Sequence, residues 1–451
     1  KQGLAGRLSY AYDGKYMAEV NMGYNGSENF AKGHRWGFFP SIALGYNISE
    51  ESFFEPLRKV ITSMKLRGSW GLVGNDQIGG ERFIYMPTIN LSGKGFTTGI
   101  DQNYGLSGPV YTRYENNSIT WEVGEKINLG IDLQLLNSLN IVVDIFRETR
   151  RDIFQKKGTI PTYLGTGNTD VFGNLAEMKN QGLDLSIDYN KAFSKDFYMN
   201  FKGTFTYAHN EITKYDEAPK YAFQSKVGQS ANVSQGYLSN GLFLDEAEID
   251  RYNQQMGSTL GAGDIKYLNV SNMHGYGDDI VDVDDWTWIG NPTVPEIVYG
   301  FGPSFKYKNW DFSFFFQGVA KTSLFMSGFH PFGDNSLRNV LQFVANDRWS
   351  PTNQNVDAKY PRLTRKTSLN NTNPGNSGRT SDYWMRDGSF LKLKNMELGY
   401  TFKRMRFYIS GSNLLTFSKF DLWDPEQGGG SGLKYPTQRV FNVGFQMTFN
   451  N

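Results

Sequence analysis

The feature that most constrains this chain is alternation with a period of two. In 437–449 one face carries Thr437, Arg439, Phe441, Val443, Phe445, Met447 and Phe449, and the other Gln438, Val440, Asn442, Gly444, Gln446 and Thr448. Side chains that switch faces at every residue mark a β-strand with one oily face. The pattern returns in 196–207, where Phe197, Met199, Phe201, Phe205 and Tyr207 oppose Asn200, Lys202, Thr204 and Thr206. In 181–189 Leu183, Leu185, Ile187 and Tyr189 oppose Asp184, Ser186 and Asp188, and in 394–402 Met396, Leu398, Tyr400 and Phe402 oppose Asn395, Glu397 and Thr401.

Thirteen such segments are expected, at 4–12, 16–25, 35–47, 63–74, 119–135, 139–154, 174–192, 196–212, 296–307, 310–325, 389–402, 404–416 and 437–449. The connections between them alternate. Asp13–Lys15, 48–62, Asn137–Ser138, Ser194–Lys195, Lys308–Asn309 and Lys403 form a mostly short set, while 26–34, 75–118, 155–173, 213–295, 326–388 and 418–436 form a long one. Short turns at one end and long loops at the other are the habit of outer-membrane barrels. A soluble sandwich has no reason to sort its loops in this way. The connector 48–62 reads as helix-like: Ser49, Ser52 and the acidic start suit a helix N-terminus, and Pro56 limits its length.

The fold class is therefore all-β: a transmembrane antiparallel β-barrel with long extracellular loops. The composition fits, with 50 Gly, 34 Phe, 26 Tyr, 9 Trp and no Cys. No apolar run reaches the roughly 18 residues of a membrane helix, and alternation hides the hydrophobicity of a barrel strand from such a count. A net charge of +1 gives no pull toward nucleic acid. Closed bacterial barrels of this type carry an even number of strands, so a set of thirteen implies further strands from outside this sequence. Residues 1–451 then read as the C-terminal portion of a larger barrel, and a signal peptide would lie outside it.

Catalytic machinery is not expected. The histidines are His34, His209, His274 and His330, without the i, i+4 spacing of a helical metal pair, and thiolate ligands are absent. The outer loops are rich in aromatics, of which Tyr104, Tyr111, Trp286, Trp288, Phe332, Trp349, Tyr383 and Trp384 are candidate contacts for a substrate or a lid protein. Such rings also serve as loop core, and all three uses stay open. Charged strand residues, including Glu397, Asp184, Lys202 and Arg406, fall on the polar face by alternation and would shape a channel wall.

Several stretches together resemble the SusC/RagA family of TonB-linked outer-membrane transporters of Bacteroidetes. They include Arg35-Trp36-Gly37-Phe38-Phe39-Pro40-Ser41, Leu66-Arg67-Gly68-Ser69-Trp70-Gly71, Gly74-Asn75-Asp76 and Ile119-Thr120-Trp121-Glu122. Asn128-Leu129-Gly130-Ile131-Asp132, Asn180-Gln181-Gly182, Gly290-Asn291-Pro292 and Asp347-Arg348-Trp349-Ser350-Pro351 follow in order. Ser389 to Asn395, Leu398-Gly399-Tyr400, Asn413 to Phe417, Asp424-Pro425-Glu426 and Tyr435-Pro436 complete the set, so the likeness covers essentially the whole chain. It departs from the usual aromatic end only by Asn450 and Asn451 after Phe449.

The resemblance implies a barrel of about 22 strands around a plug. It also implies active import across the outer membrane of a Gram-negative bacterium, with an oligosaccharide or a peptide as cargo. The partners it implies are a SusD-like surface lipoprotein acting as lid, the TonB–ExbB–ExbD machinery acting through an upstream segment, and the lipid bilayer. A passive porin or an adhesin-like barrel is the rival reading. The family also carries an EF-hand-like loop before an Ile-Gly pair. Counted back from Ile289-Gly290, Asp278, Asp282 and Asp285 keep acidic positions for a calcium ion, whereas His274, Tyr276 and Asp279 depart from the pattern.

Overall fold

The computed structural model describes residues 1–449 except 79, 81, 162, 164–169, 253, 256–259, 277, 278, 328–339 and 364–379. Thirteen strands form one antiparallel sheet. They are β1 Gln2–Tyr12, β2 Tyr16–Gly26, β3 Trp36–Asn47, β4 Ile61–Asn75, β5 Glu122–Leu135, β6 Leu139–Lys156, β7 Phe172–Ala192, β8 Phe197–Lys214, β9 Ile297–Tyr307, β10 Trp310–Ala320, β11 Phe390–Phe402, β12 Met405–Ser418 and β13 Val440–Met447. Number and order agree with the alternation. The expected strand 310–325 is shorter, because the chain turns at Lys321 (φ 53°) and Ser323–Phe325 pairs instead with Met385–Asp387.

The chain divides into two compact units: 1–189 with 207–218 and 226–230, and 190–206 with 219–225 and 231–451. In the first unit the register aligns Tyr12, Tyr16, Tyr46, Leu66, Ile131, Val143 and Leu185 in one cross-strand row. The neighbouring row on the other face reads Ala11, Met17, Gly45, Arg67, Gly130, Asp144 and Asp184. In the second unit Trp310, Tyr400, Phe407 and Phe445 share a row, with Trp310 and Tyr400 ring centroids 4.7 Å apart and Phe407 and Phe445 5.2 Å apart. An aromatic row beside the tight turns is where an interfacial girdle belongs.

The short turns follow from their residues. Asp13 and Gly14 both take positive φ (51° and 64°), and Lys15 N–H donates to Tyr12 C=O at 3.0 Å. Asp-Gly is the favoured pair where both central turn residues take positive φ, a twist that matches the strands. Leu136 and Asn137 adopt the same geometry (φ 51° and 54°). The connector 48–62 contains two 3₁₀ turns, Ile48–Glu50 and Ser52–Leu57, with Pro56 inside the second.

Among the described residues the long connections carry structure of their own. That between β4 and β5 carries a hairpin, Thr88–Thr98 with Tyr104–Arg113, which the sequence pattern did not indicate. In the second unit, residues from 231–295, 323–360, 383–384 and 420–423 share a hydrophobic core built around Tyr237, Leu242, Tyr267, Met326, Val344 and Trp384.

Candidate functional site

Two sets of side chains stand out, one on the polar face of the sheet and one on the loop core.

On the sheet, each unit holds an arginine between two carboxylates. Arg67 on β4 donates through Nε and Nη2 to Asp132 (2.8–3.1 Å) and through Nη2 to Asp144 at 3.0 Å. Arg406 on β12 donates through Nε to Asp311 at 3.0 Å, and through Nη2 to the same carboxylate and to Glu397 at 2.5 Å. Both forks lie over a glycine. A Cβ on Gly130 would sit 2.8 Å from Arg67 Nη2, and one on Gly399 would sit 2.6 Å from Arg406 Nη2. Only a missing side chain lets the planar guanidinium lie flat against the strand. Glu397 and Arg406 thus share the polar face, as alternation required, and are paired there. Asp184 lies in the same row as Arg67 and Asp144.

The loop core accounts for several aromatic candidates. Trp384 is 0 % exposed and Trp349 is buried, while Trp286 and Tyr383 pack against the same core. Trp286 meets Tyr237 edge to face at 6.0 Å. The Tyr383 hydroxyl donates to Ala358 C=O at 2.9 Å, and burial pushes its phenol well above the ordinary range. Beside it Arg386 donates to the carbonyls of Tyr383 (2.7 Å) and Met385 (2.8 Å), and burial lowers its pKa. Trp288 is half-buried and donates to Ser225 C=O at 2.9 Å. Tyr104 and Tyr111 are exposed on the hairpin of the first unit, so the structure does not place them with this group. Phe332 lies outside the described residues.

In the acidic run Asp282 and Asp285 accept from backbone N–H groups. Asp285, fully buried, accepts from Ser271 N–H at 2.9 Å and Asp282 N–H at 2.8 Å. Asp282 accepts from Asp284 N–H at 2.8 Å, and Asp284 pairs with Lys220. Asp278 lies outside the described residues. Among the described residues no group of three or more His, Asp or Glu is placed to hold a metal ion.

One cluster escaped the reading of the sequence. Tyr221 and Phe223 stack side by side (5.5 Å, 14°); Tyr276 lies over Tyr221 at 4.2 Å and His274 over Phe223 at 4.6 Å, 13° from parallel. The signal was present as two ring-x-ring pairs of equal spacing, 221/223 and 274/276, but nothing in the sequence joins them.

With this geometry in hand, comparison with known proteins is direct. Residues 2–414 match the family described as TonB dependent receptor-like, beta-barrel. TonB-dependent receptor P3 of Formosa agariphila is 27% identical over 98% of this chain and 45% of its own length. TonB-dependent receptor SusC of Bacteroides thetaiotaomicron is 28% identical over 98% of this chain and 43% of its own. The RagAB peptide importer in its closed-closed state shares the fold, with a TM-score of 0.72 at 21% identity over 99% of this chain and 47% of that one. The chain thus spans less than half the length of these relatives. Thirteen alternating strands, loops elaborated at one end and a family match over most of the sequence lead to one conclusion: this chain belongs to the family of TonB-dependent receptor-like β-barrels.

Proposed function

We propose that the chain forms part of the wall and outer vestibule of an active importer in a Gram-negative outer membrane. The observation that carries this reading is the two-faced sheet, apolar on one side and ion-paired on the other, joined to loops that fold into their own core. A lipid-facing wall explains the first property, and a vestibule that receives cargo explains the second. Further strands would pair the open edges of β1 and β13, since unpaired backbone in lipid is costly. A plug and a TonB-contacting segment would belong to the same protein. The cargo is an oligosaccharide or a peptide, captured with a SusD-like lipoprotein lid and moved by TonB–ExbB–ExbD. A relative named SusC and the fold of a peptide importer support these two cargo classes. The wall moves cargo without changing its bonds, so no enzymatic role is assigned.

Uptake of fluorescent oligosaccharides and peptides by cells with and without the gene tests the reading. Gene-dependent uptake that stops on adding a proton uncoupler is expected. Gene-dependent uptake that ignores the uncoupler would make the barrel a passive porin.

No resident cofactor is assigned. Asp282 and Asp285 already spend oxygens on backbone N–H groups, so calorimetric titration with calcium is expected to give no binding heat. A micromolar, stoichiometric calcium isotherm lost in Asp282→Asn would restore the cation site.

A further inference from the structure

We propose that the rings of Tyr221, Phe223, His274 and Tyr276 form a sugar-stacking platform on the outer loops; this rests on the importer reading and selects glycan over peptide as the cargo. The four rings make a two-layered block. Tyr221 and Phe223 are the half-buried lower layer, and His274 and Tyr276 the exposed upper layer. Tyr276 remains 49% exposed. This is not for want of a core: Tyr237, Tyr267 and Trp384 of the same unit are sealed from solvent. Exposed aromatic surface gathered in one place marks an interaction site.

The surroundings favour a sugar. A pyranose presents an apolar C–H face edged by hydroxyls, so it needs a flat ring with polar groups beside it. Lys220 supplies a cation 5.2 Å from the Tyr221 ring centre and pairs with Asp284. Gln224 donates to Asp284 C=O at 3.0 Å and Val283 C=O at 3.3 Å. The acidic turn thereby clamps the segment bearing Tyr221 and Phe223. Asp285 in turn holds the N–H of Ser271, on the short helix that leads to His274. Rigid backing beneath exposed rings limits the ordering cost of binding.

The test is an array of immobilised oligosaccharides and peptides, probed with the full-length, detergent-purified transporter. Binding to at least one glycan class is expected, weakened roughly tenfold in Tyr276→Ala and in Phe223→Ala and retained in Tyr276→Phe. Heat-modifiable migration on gels verifies that each variant is folded. The proposal is overturned by an array that captures no glycan, by glycan binding that both alanine variants leave unchanged, or by variants that lose only peptides or only the lipoprotein lid. The uncoupler experiment separates the two readings. Gradient-dependent uptake unaffected by Tyr276→Ala leaves the importer and removes the platform, whereas ring-dependent glycan binding without gradient-dependent uptake does the reverse.

Discussion

The sheet and the loop core bury opposite things. In the middle of the sheet Leu129 and Ile145 are 62% and 59% exposed, while the charged neighbours Arg67 and Asp144 are paired on the other face. In the loop core the apolar groups point the other way, and Trp384, Tyr237 and Leu242 are sealed inside. One chain follows two rules because it meets two solvents. Lipid welcomes leucine and rejects charge, and water does the reverse. The boundary runs near the outer ends of the strands, where Lys392 on β11, 1% exposed at its side chain, anchors Asp424 at 2.5 Å and Glu426 at 2.8 Å.

Substitutions that exchange the rules should break each region separately. Trp384→Ala opens a cavity in the water-facing core, and a loss of about 3–5 kcal/mol is expected there. The sheet does not depend on that packing. Limited proteolysis of intact cells should therefore cut the outer loops faster while the barrel keeps its heat-modifiable migration. Loss of the barrel itself would show that sheet and loops fold as one cooperative block.

The boundary is the next target. Burial works to raise the carboxyls of Asp424 and Glu426, but Lys392 prevails in both, helped by Thr437 at Asp424 and by Lys394 at Glu426, and both pKa values lie below the ordinary range. A depressed carboxyl stabilises fully above its unfolded pKa of about 4 and loses that contribution as pH falls through the native value. Hydrogen exchange in 419–436, expressed as protection relative to the intrinsic amide rate at each pH, should therefore stay slow at neutral pH and accelerate only below about pH 4. Lys392→Met should accelerate it at neutral pH, costing about 2–3 kcal/mol. That is under the usual penalty for breaking a buried pair, since Lys394 still holds Glu426 and both carboxylates reach solvent.

How much of this could be read in the sequence divides along the same line. Strands that face lipid on one side must alternate without interruption, so thirteen were legible, and so was the phase that pairs Arg406 with Glu397. The outer hairpin was not, because Gly93, Gly95, Gly105 and Gly108 break the alternation of its two strands. The loop core was not, because residues far apart such as Leu242, Val344 and Trp384 meet without a local period. Trp384 and Tyr276 look alike in sequence; only the fold buries one and leaves the other out.

Leu398 and Glu397 are neighbours on β11, and they give the finest test of the two faces. Leu398 aligns with Phe312 and Ile409 on the apolar face, so Leu398→Arg puts a charge toward lipid. The cost at a bilayer midplane is about 2–4 kcal/mol, and four residues from the turn about 2 is expected, enough to lower the yield of folded barrel in the outer membrane. Glu397→Gln acts on the other face. Arg406 keeps both bonds to Asp311, the amide oxygen of glutamine still accepts from Nη2, and the pair is partly open to water. Such pairs contribute about 0–1 kcal/mol, so the glutamine variant should assemble at wild-type yield. Equal yields for Leu398→Arg and Glu397→Gln would mean that the face carrying Leu398 does not meet lipid, and the two-solvent account of the chain would fall with it.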